Sequence, residues 1–419
     1  MDMQRPPIDT VFTPRNSTVN RTMYVKRPDL EKDLKRALSG NLHVIVHGES
    51  GGGKSWLYKT ILEDEGVFTW TINCANALRL GSISNAIGSA LASEGHVDHA
   101  GYTEEKTAEV GVPLIAAGGL AHKDTYELPK KDPLEIALAQ IRRKVDPKKP
   151  CMLVVENLES IFSDGTLMSE LGSIITLLDD EHYSQFNVRL LIIGIPSQVK
   201  EYFQKINTAV ANRLQEIREV SRLTQPQVSE LIEKGFTQQL RVKVDAVALS
   251  YWKGHIYHVT TGIPQRVHEY CLELGALCEE NSWEGTSEMV KTADIKWLQR
   301  SLTNSYSKVE EVMNDRATKA GRRNQVLYAL GKVNSDNFRV ADIERAVRTE
   351  FPTTTAGITL GVSQILSDLA SRSEPIIKST IKGDAYYFSE PRHLMCLRVM
   401  LNKNSDESIS KINLSSLNS

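Results

Sequence analysis

Eight consecutive residues, Gly48-Glu49-Ser50-Gly51-Gly52-Gly53-Lys54-Ser55, leave this chain few folds to choose from. They match G-x-x-x-x-G-K-[ST] in full, and both flanks fit the same reading. The run before them, Leu42-His43-Val44-Ile45-Val46, is short, apolar and β-branched, as a buried strand should be. A helix is expected from residue 54 to about 63. In such a strand–loop–helix unit the glycines let the backbone curl until its N–H groups surround phosphate oxygens. The positive end of the following helix adds to that attraction. Lys54 supplies a cation to the β- and γ-phosphates, and Ser55 offers a hydroxyl to Mg²⁺. A chance glycine-rich turn would not satisfy all eight positions and both flanks.

The rest of the 419 residues organise around that unit. Leu30, Leu34 and Leu38 recur on one face of a helix expected over 28–38. Strands are predicted at 67–72, 151–155 and 189–194, alternating with helices at 83–93, 133–144 and 168–178. That alternation predicts an α/β fold: a P-loop NTPase parallel sheet with helices on both faces. Beyond about residue 224 the strand signal fades, and helices are expected at 227–239, 244–260 and 264–280. A charged connector follows over 304–323. Three helices (324–331, 340–350, 359–372) and two strands (375–381, 385–388), with Lys382-Gly383-Asp384 as the turn, have the order of a winged-helix domain. The expected divisions are a flexible arm at 1–22, the core at 23–222, a helical region at 223–300, connector and winged helix at 301–402, and a disordered tail at 403–419. Residues 95–131, with His96, His99 and His122, give no assignment.

Bulk properties narrow the setting. The formal net charge of −2 calls for no acidic partner by itself. Five scattered cysteines without a C-x-x-C pair suit a reducing cytosol rather than a disulfide framework or zinc site. No apolar run approaches the roughly 20 residues that span a bilayer. A cytoplasmic protein without membrane contact is expected.

Further chemistry clusters at strand ends. Residues 151–155 run into Glu156-Asn157-Leu158-Glu159, where Glu156 is placed to hold magnesium through water. Asn157 stands where a carboxylate would activate the attacking water, and an amide cannot act as a general base. Either Glu159 takes that role or hydrolysis is slow. The strand at 189–194 leads to Ser197, a candidate neighbour of the γ-phosphate or an ordinary turn residue. Arg213, in Asn212-Arg213-Leu214, is either an arginine reaching a neighbouring subunit's nucleotide or a solvated, ion-paired side chain. Thr260-Thr261-Gly262-Ile263-Pro264-Gln265-Arg266 opens a helix, placing Arg266 to sense the γ-phosphate or simply to follow a turn. The expected recognition helix carries Ser363, Gln364, Ser367 and Arg372. Lys378 and Lys382 lie in the wing, with Arg322, Arg323, Arg339, Arg345 and Arg348 nearby.

In order and spacing, GESGGGKS, LVVENLES, LLIIGIPS, ANRL and TTGIPQR resemble an AAA+ ATPase, more narrowly its origin-recognition and STAND-like branches, which include transposition-regulator ATPases. The resemblance spans about 27–280, and the winged-helix order extends it. It implies ATP and Mg²⁺ as ligands, Lys54 and Ser55 as Walker A residues, and Glu156 at the Walker B acidic position. Arg213 would be the arginine finger, Arg266 the second sensor, the segment around 25–30 the border of the adenine, and 224–280 a lid. Asn157, and the Ile-Pro-Ser that ends the sensor strand, depart from the family pattern and put fast turnover in doubt. Two functions follow from the resemblance. One is a slow ATPase switch that assembles into homo-oligomers on ATP and engages a partner protein, in defence or mobile-element regulation. The other is an initiator or loader acting on duplex DNA through the winged helix.

Overall fold

Side chains alternate across the central strands, and both faces they present are buried. Val44, Val46, Met152, Val154, Leu191 and Ile193 pack into one apolar cluster. Ile45, Leu153, Val155, Leu190 and Ile192 pack into the other. Strands buried on both sides read as continuous apolar runs, which is why they were legible in the sequence. The computed structural model describes residues 5–93, 132–146, 149–194, 199–314 and 321–414. These fall into two compact units, one of Arg27–Ser50 and Lys54–Ser221, the other of Met1–Lys26, Gly51–Gly53 and Arg222–Ser419.

In the first unit, β1 (His43–His47), β2 (Phe68–Asn73), β3 (Cys151–Glu156), β4 (Val188–Gly194) and β5 (Leu214–Glu216) form one sheet in the order β2-β3-β4-β1-β5. All four pairings are parallel. The Pro28–Leu38 and Lys54–Asp64 helices bring Leu30, Leu34, Leu57 and Ile61 to one face. The Ile83–Ser93, Pro133–Arg143 and Gly165–Leu177 helices bring Ile87, Leu138 and Leu171 to the other. The parallel sheet covered on both faces is therefore present as expected.

Caps set the helix boundaries. Asp132 accepts from the Leu134 amide at 3.0 Å ahead of Pro133. Asp164 accepts from Thr166 and Leu167, so its helix begins at Gly165 rather than 168. Glu170 reaches across to the amides of Ile83 and Ser84, at 2.8 and 2.9 Å, and closes the start of the helix there. A short helix at Cys74–Leu80, capped by Asn73 and stopped by left-handed Gly81, and strand β5 add to the expected elements.

The second unit contains helices Gln225–Ile232, Ala246–Thr260, Pro264–Glu280, Met289–Ser301 and Thr303–Val312. A π-helical run, Glu233–Gln239, continues the first of them. Short strands β6 (Lys243–Val244) and β7 (Glu284–Gly285) pair in parallel. Helix Arg322–Gly331, β8 (Asn337–Phe338), helices Val340–Glu350 and Val362–Ala370, β9 (Ile377–Ser379) and β10 (Tyr386–Phe388) follow. The three strands make an antiparallel sheet in the order β8-β10-β9. The three helices and two strands read from the sequence follow one another in that order, and β8 is an added strand too short to read from it.

Two expectations fail in this unit. The flexible arm is packed: Phe12 is fully buried, its ring centroid 4.9 Å from that of Phe236. A Cβ on Gly235 would lie 2.3 Å from the Phe12 ring, so glycine makes the socket. Ile8 fills a second notch at Gly275, and the Thr13 amide donates to His268 Nδ1 at 3.2 Å. One four-residue helix and isolated apolar residues carry no periodicity, which hid this segment. The tail is also ordered up to residue 414, where β11 (Leu401–Lys403) and β12 (Ile409–Lys411) form a hairpin. Within it, Glu407 accepts from the amides of Thr353 and Thr354 at 3.0 and 2.8 Å. Desolvation raises the pKa of the Glu407 carboxyl, but those donors outweigh it and hold the group at about 2.

Burial keeps three histidines of this unit neutral. It lowers His258, His268 and His393 to about 4, with Arg398 adding to the effect at His258. An unfolded histidine takes a proton near pH 6.5, whereas these do not until about pH 4. Their contribution is therefore complete above pH 6.5 and is lost as pH falls from there to 4. Thermal unfolding of the wild type should shift to lower temperature across that window. In His268→Gln, which keeps an acceptor for Thr13, the slope should be shallower. An unchanged slope would mean that His268 is not held neutral.

Candidate nucleotide-binding site

The loop after β1 is built from backbone that only glycine accepts. Gly48 has φ 147°, Gly51 78° and Gly53 89°. A Cβ on Gly48 would lie 2.6 Å from the Val220 carbonyl oxygen, so the loop begins against backbone that cannot yield. Gly48→Ala should raise the dissociation constant for ATP by at least about tenfold and lower the melting temperature, since left-handed strain costs about 1–3 kcal/mol. Calorimetric titration and circular dichroism check both. Unchanged values in both would show that the loop tolerates a side chain at its first position.

Lys54 opens the helix after the loop and folds back over it. Its Nζ donates to the carbonyls of Gly48 and Glu49 at 2.8 and 2.9 Å. Burial lowers its pKa, opposed by the carboxylates of Glu159, Glu49 and Glu219. One residue on, Ser55 Oγ lies 3.5 Å from Glu156 Oε1. Glu156 closes β3, opposite Asn73 on β2. Strand β4 separates β3 from β1, and the Lys54–Asp64 helix brings Ser55 across to the carboxylate.

Sequence reasoning missed Tyr58. Its hydroxyl donates to the same Glu156 oxygen at 2.7 Å. Burial and the adjacent carboxylate push the phenol far above its ordinary range, so it remains a donor. The signal was available: Tyr58 is three residues after Ser55 and shares its helix face. Asn157 takes the left-handed conformation (φ 58°), which asparagine tolerates, and is exposed. Leu158, fully buried, anchors the short 3₁₀ turn Leu158–Ser160, and Glu159 stands exposed on it.

Three further predicted residues are Ser197, Arg213 and Arg266. Ser197 falls outside the described residues. Arg213 precedes β5 at the opposite end of the sheet, because His43 at the start of β1 pairs with Leu214. Its Nε is 2.8 Å from Asp179 Oδ2, and its Nη1 donates to the Ala209 carbonyl at 2.8 Å. Arg266 lies in the second unit, where Nη1 donates to both Glu269 oxygens at 2.8 and 2.7 Å. Among the described residues no group of histidine, cysteine and carboxylate side chains could hold a metal by itself. No helix among them is long and apolar enough to cross a membrane, and all five cysteines are buried and free.

Residues 36–203 match the family described as "AAA domain". Apart from Gly51–Gly53, that stretch lies within the unit whose five-stranded parallel sheet, covered on both faces, has the P-loop NTPase fold. No curated protein matches the chain in sequence. Among solved structures, the Walker-type ATPase paby2304 of Pyrococcus abyssi is 13% identical, with 93% of this chain and 99% of that one covered, at a TM-score of 0.50. Cdc6p from Pyrobaculum aerophilum is 14% identical over 93% and 97%, at 0.45. The Aeropyrum pernix ORC2 protein in its ADP form is 12% identical over 93% and 96%, at 0.49. At 13% identity the likeness to the Pyrococcus abyssi protein concerns the fold alone.

The donor set suits magnesium. A hydroxyl and a carboxylate are hard oxygen donors, and Mg²⁺ characteristically takes one or two such protein groups beside phosphate oxygens and water. Ser55 and Glu156 would hold it. A magnesium ion held there would supply positive charge to offset that of phosphate oxygens.

Proposed function

We propose that this chain is an ATP-binding, slowly hydrolysing molecular switch that assembles on ATP and then engages a partner protein or DNA. The observation that carries this reading is the convergence of Lys54, Ser55 and Glu156 at the C-terminal ends of β1 and β3. Lys54, partly buried and close to the loop carbonyls, can exchange those contacts for phosphate oxygens. Glu156 orients through Tyr58 and faces Ser55, which suits the magnesium position. Slow turnover follows from Asn157, since its amide cannot accept the proton of an attacking water. Of the carboxylates whose charge is felt at Lys54, Glu159 stands on the turn beside Asn157 and is the one we assign to that task.

Assembly follows from Arg213. It stands beside the base of β1, whose other end, five residues or about 16 Å away, carries the phosphate loop. Such an arginine serves a neighbouring copy's nucleotide rather than its own. Mass in solution, with and without ATP and Mg²⁺, tests the reading: the wild type should assemble and Lys54→Ala should not. If ATP binds and the mass stays that of one chain, the switch acts as a monomeric sensor and the assembly mechanism fails.

The exposed β9–β10 hairpin favours a second reading, a DNA-engaging initiator or loader. Lys378 and Lys382 are exposed on it, and Ile381 at its tip is wholly exposed. Duplex binding whose affinity falls steeply with salt would support this reading, because each phosphate contact releases counterions. No binding at low salt would remove it.

A further inference from the structure

We infer that Asp179 positions Arg213 for the nucleotide of a neighbouring copy, an inference that rests on the trans role proposed above. Asp179 follows the Gly165–Leu177 helix and meets Arg213 at the base of the sheet. Its Oδ2 lies 2.8 Å from Arg213 Nε, with both side chains about one-third exposed or more, at 32% and 41%. The Nε–H does not point along that line, so the contact is Coulombic rather than a hydrogen bond. The second restraint is the Ala209 carbonyl, which accepts from Nη1 at 2.8 Å. One hydrogen bond and one ion pair, from two segments, hold the guanidinium in place. Nη2 makes no hydrogen bond among the described residues and remains for a ligand.

Among the described residues a second group, His43, faces Asp179 and does not compete. His43 Nε2 is 3.9 Å from Asp179 Oδ1. The ring is buried, and burial lowers its pKa. Its Nδ1 accepts from the Leu190 amide at 3.0 Å, which assigns the proton to Nε2, 3.2 Å from the Ile175 carbonyl. His43 is thus a neutral spacer beneath the pair, and Arg213 is the cation that Asp179 holds. An arginine fixed before docking meets the neighbour's phosphates with less loss of side-chain freedom. An arginine held by a latch would instead have to be released, and the two cases differ in the sign of a single substitution.

A mixing experiment reads that sign. Lys54→Ala chains lack a working phosphate loop but carry Arg213, whereas Arg213→Ala chains have the reverse defect. A mixture should recover ATP hydrolysis that neither shows alone. Adding Asp179→Ala to the Lys54→Ala chain should lower the recovered rate about tenfold, and Asp179→Glu in its place should restore most of it. The nucleotide is hydrolysed on the unaltered Arg213→Ala chain, so damage to the site itself cannot explain the loss. Asp179→Asn keeps the side-chain shape and gives the same reading if the alanine variant folds poorly. Undiminished recovery would show that Asp179 has no positioning role, and enhanced recovery would make it a latch. If Arg213→Ala alone hydrolyses ATP at the wild-type rate, the trans reading fails and takes this inference with it.

Discussion

Glu159→Gln should lower kcat about 100-fold or more while leaving ATP affinity within a few-fold of wild type. General-base contributions of 10²–10⁴ are usual, and removing one affects turnover rather than ground-state binding. The turn after β3 gives the reason. Leu158 is driven into the core, so Asn157 and Glu159 are both left exposed on either side of it. Asn157 has the wrong chemistry, and Glu159 is near enough to Lys54 to oppose the fall in its pKa. Asn157→Ala should therefore change kcat by less than about threefold, since no proton transfer depends on it. Single-turnover hydrolysis in the two variants separates these cases. A wild-type rate in Glu159→Gln would remove this residue as the base.

Glu156→Gln should act on magnesium instead. The substitution keeps shape and still offers an oxygen to the Tyr58 hydroxyl, which now donates to Glu156 at 2.7 Å. What it removes is the charge facing Ser55. Hydrolysis should fall about 100-fold or more, comparable to losing a preorganised charged group in other active sites. The gain in ATP affinity on adding Mg²⁺ should shrink in parallel. Titrations with Mg²⁺ and with a chelator measure that gain directly. An unchanged gain would place the ion on other residues.

Much of the core was legible because its signals are local and periodic. Strands β1, β3 and β4 are continuous apolar runs, and the glycine-rich octapeptide sits where strand gives way to helix. Strands β5 and β8 span three and two residues, too few for any pattern to register. The packed arm was hidden for a different reason. Phe12 and Ile8 are held by sockets at Gly235 and Gly275, more than 200 residues away, and no local pattern announces such a partnership. The same limit governs the site. Lys54, Ser55 and Glu156 could be named from motif position, whereas the Tyr58 contact and the Asp179–Arg213 pair depend on how distant segments meet.

Calorimetric titration of ATP, with and without Mg²⁺, into the wild type and Lys54→Ala tests the proposed switch most directly. Saturable binding strengthened by Mg²⁺ is expected in the wild type. Lys54→Ala should bind at least about 100-fold more weakly, a loss of about 2.8 kcal/mol. Equal affinity in the two proteins would contradict a phosphate site built on Gly48, Lys54 and Ser55.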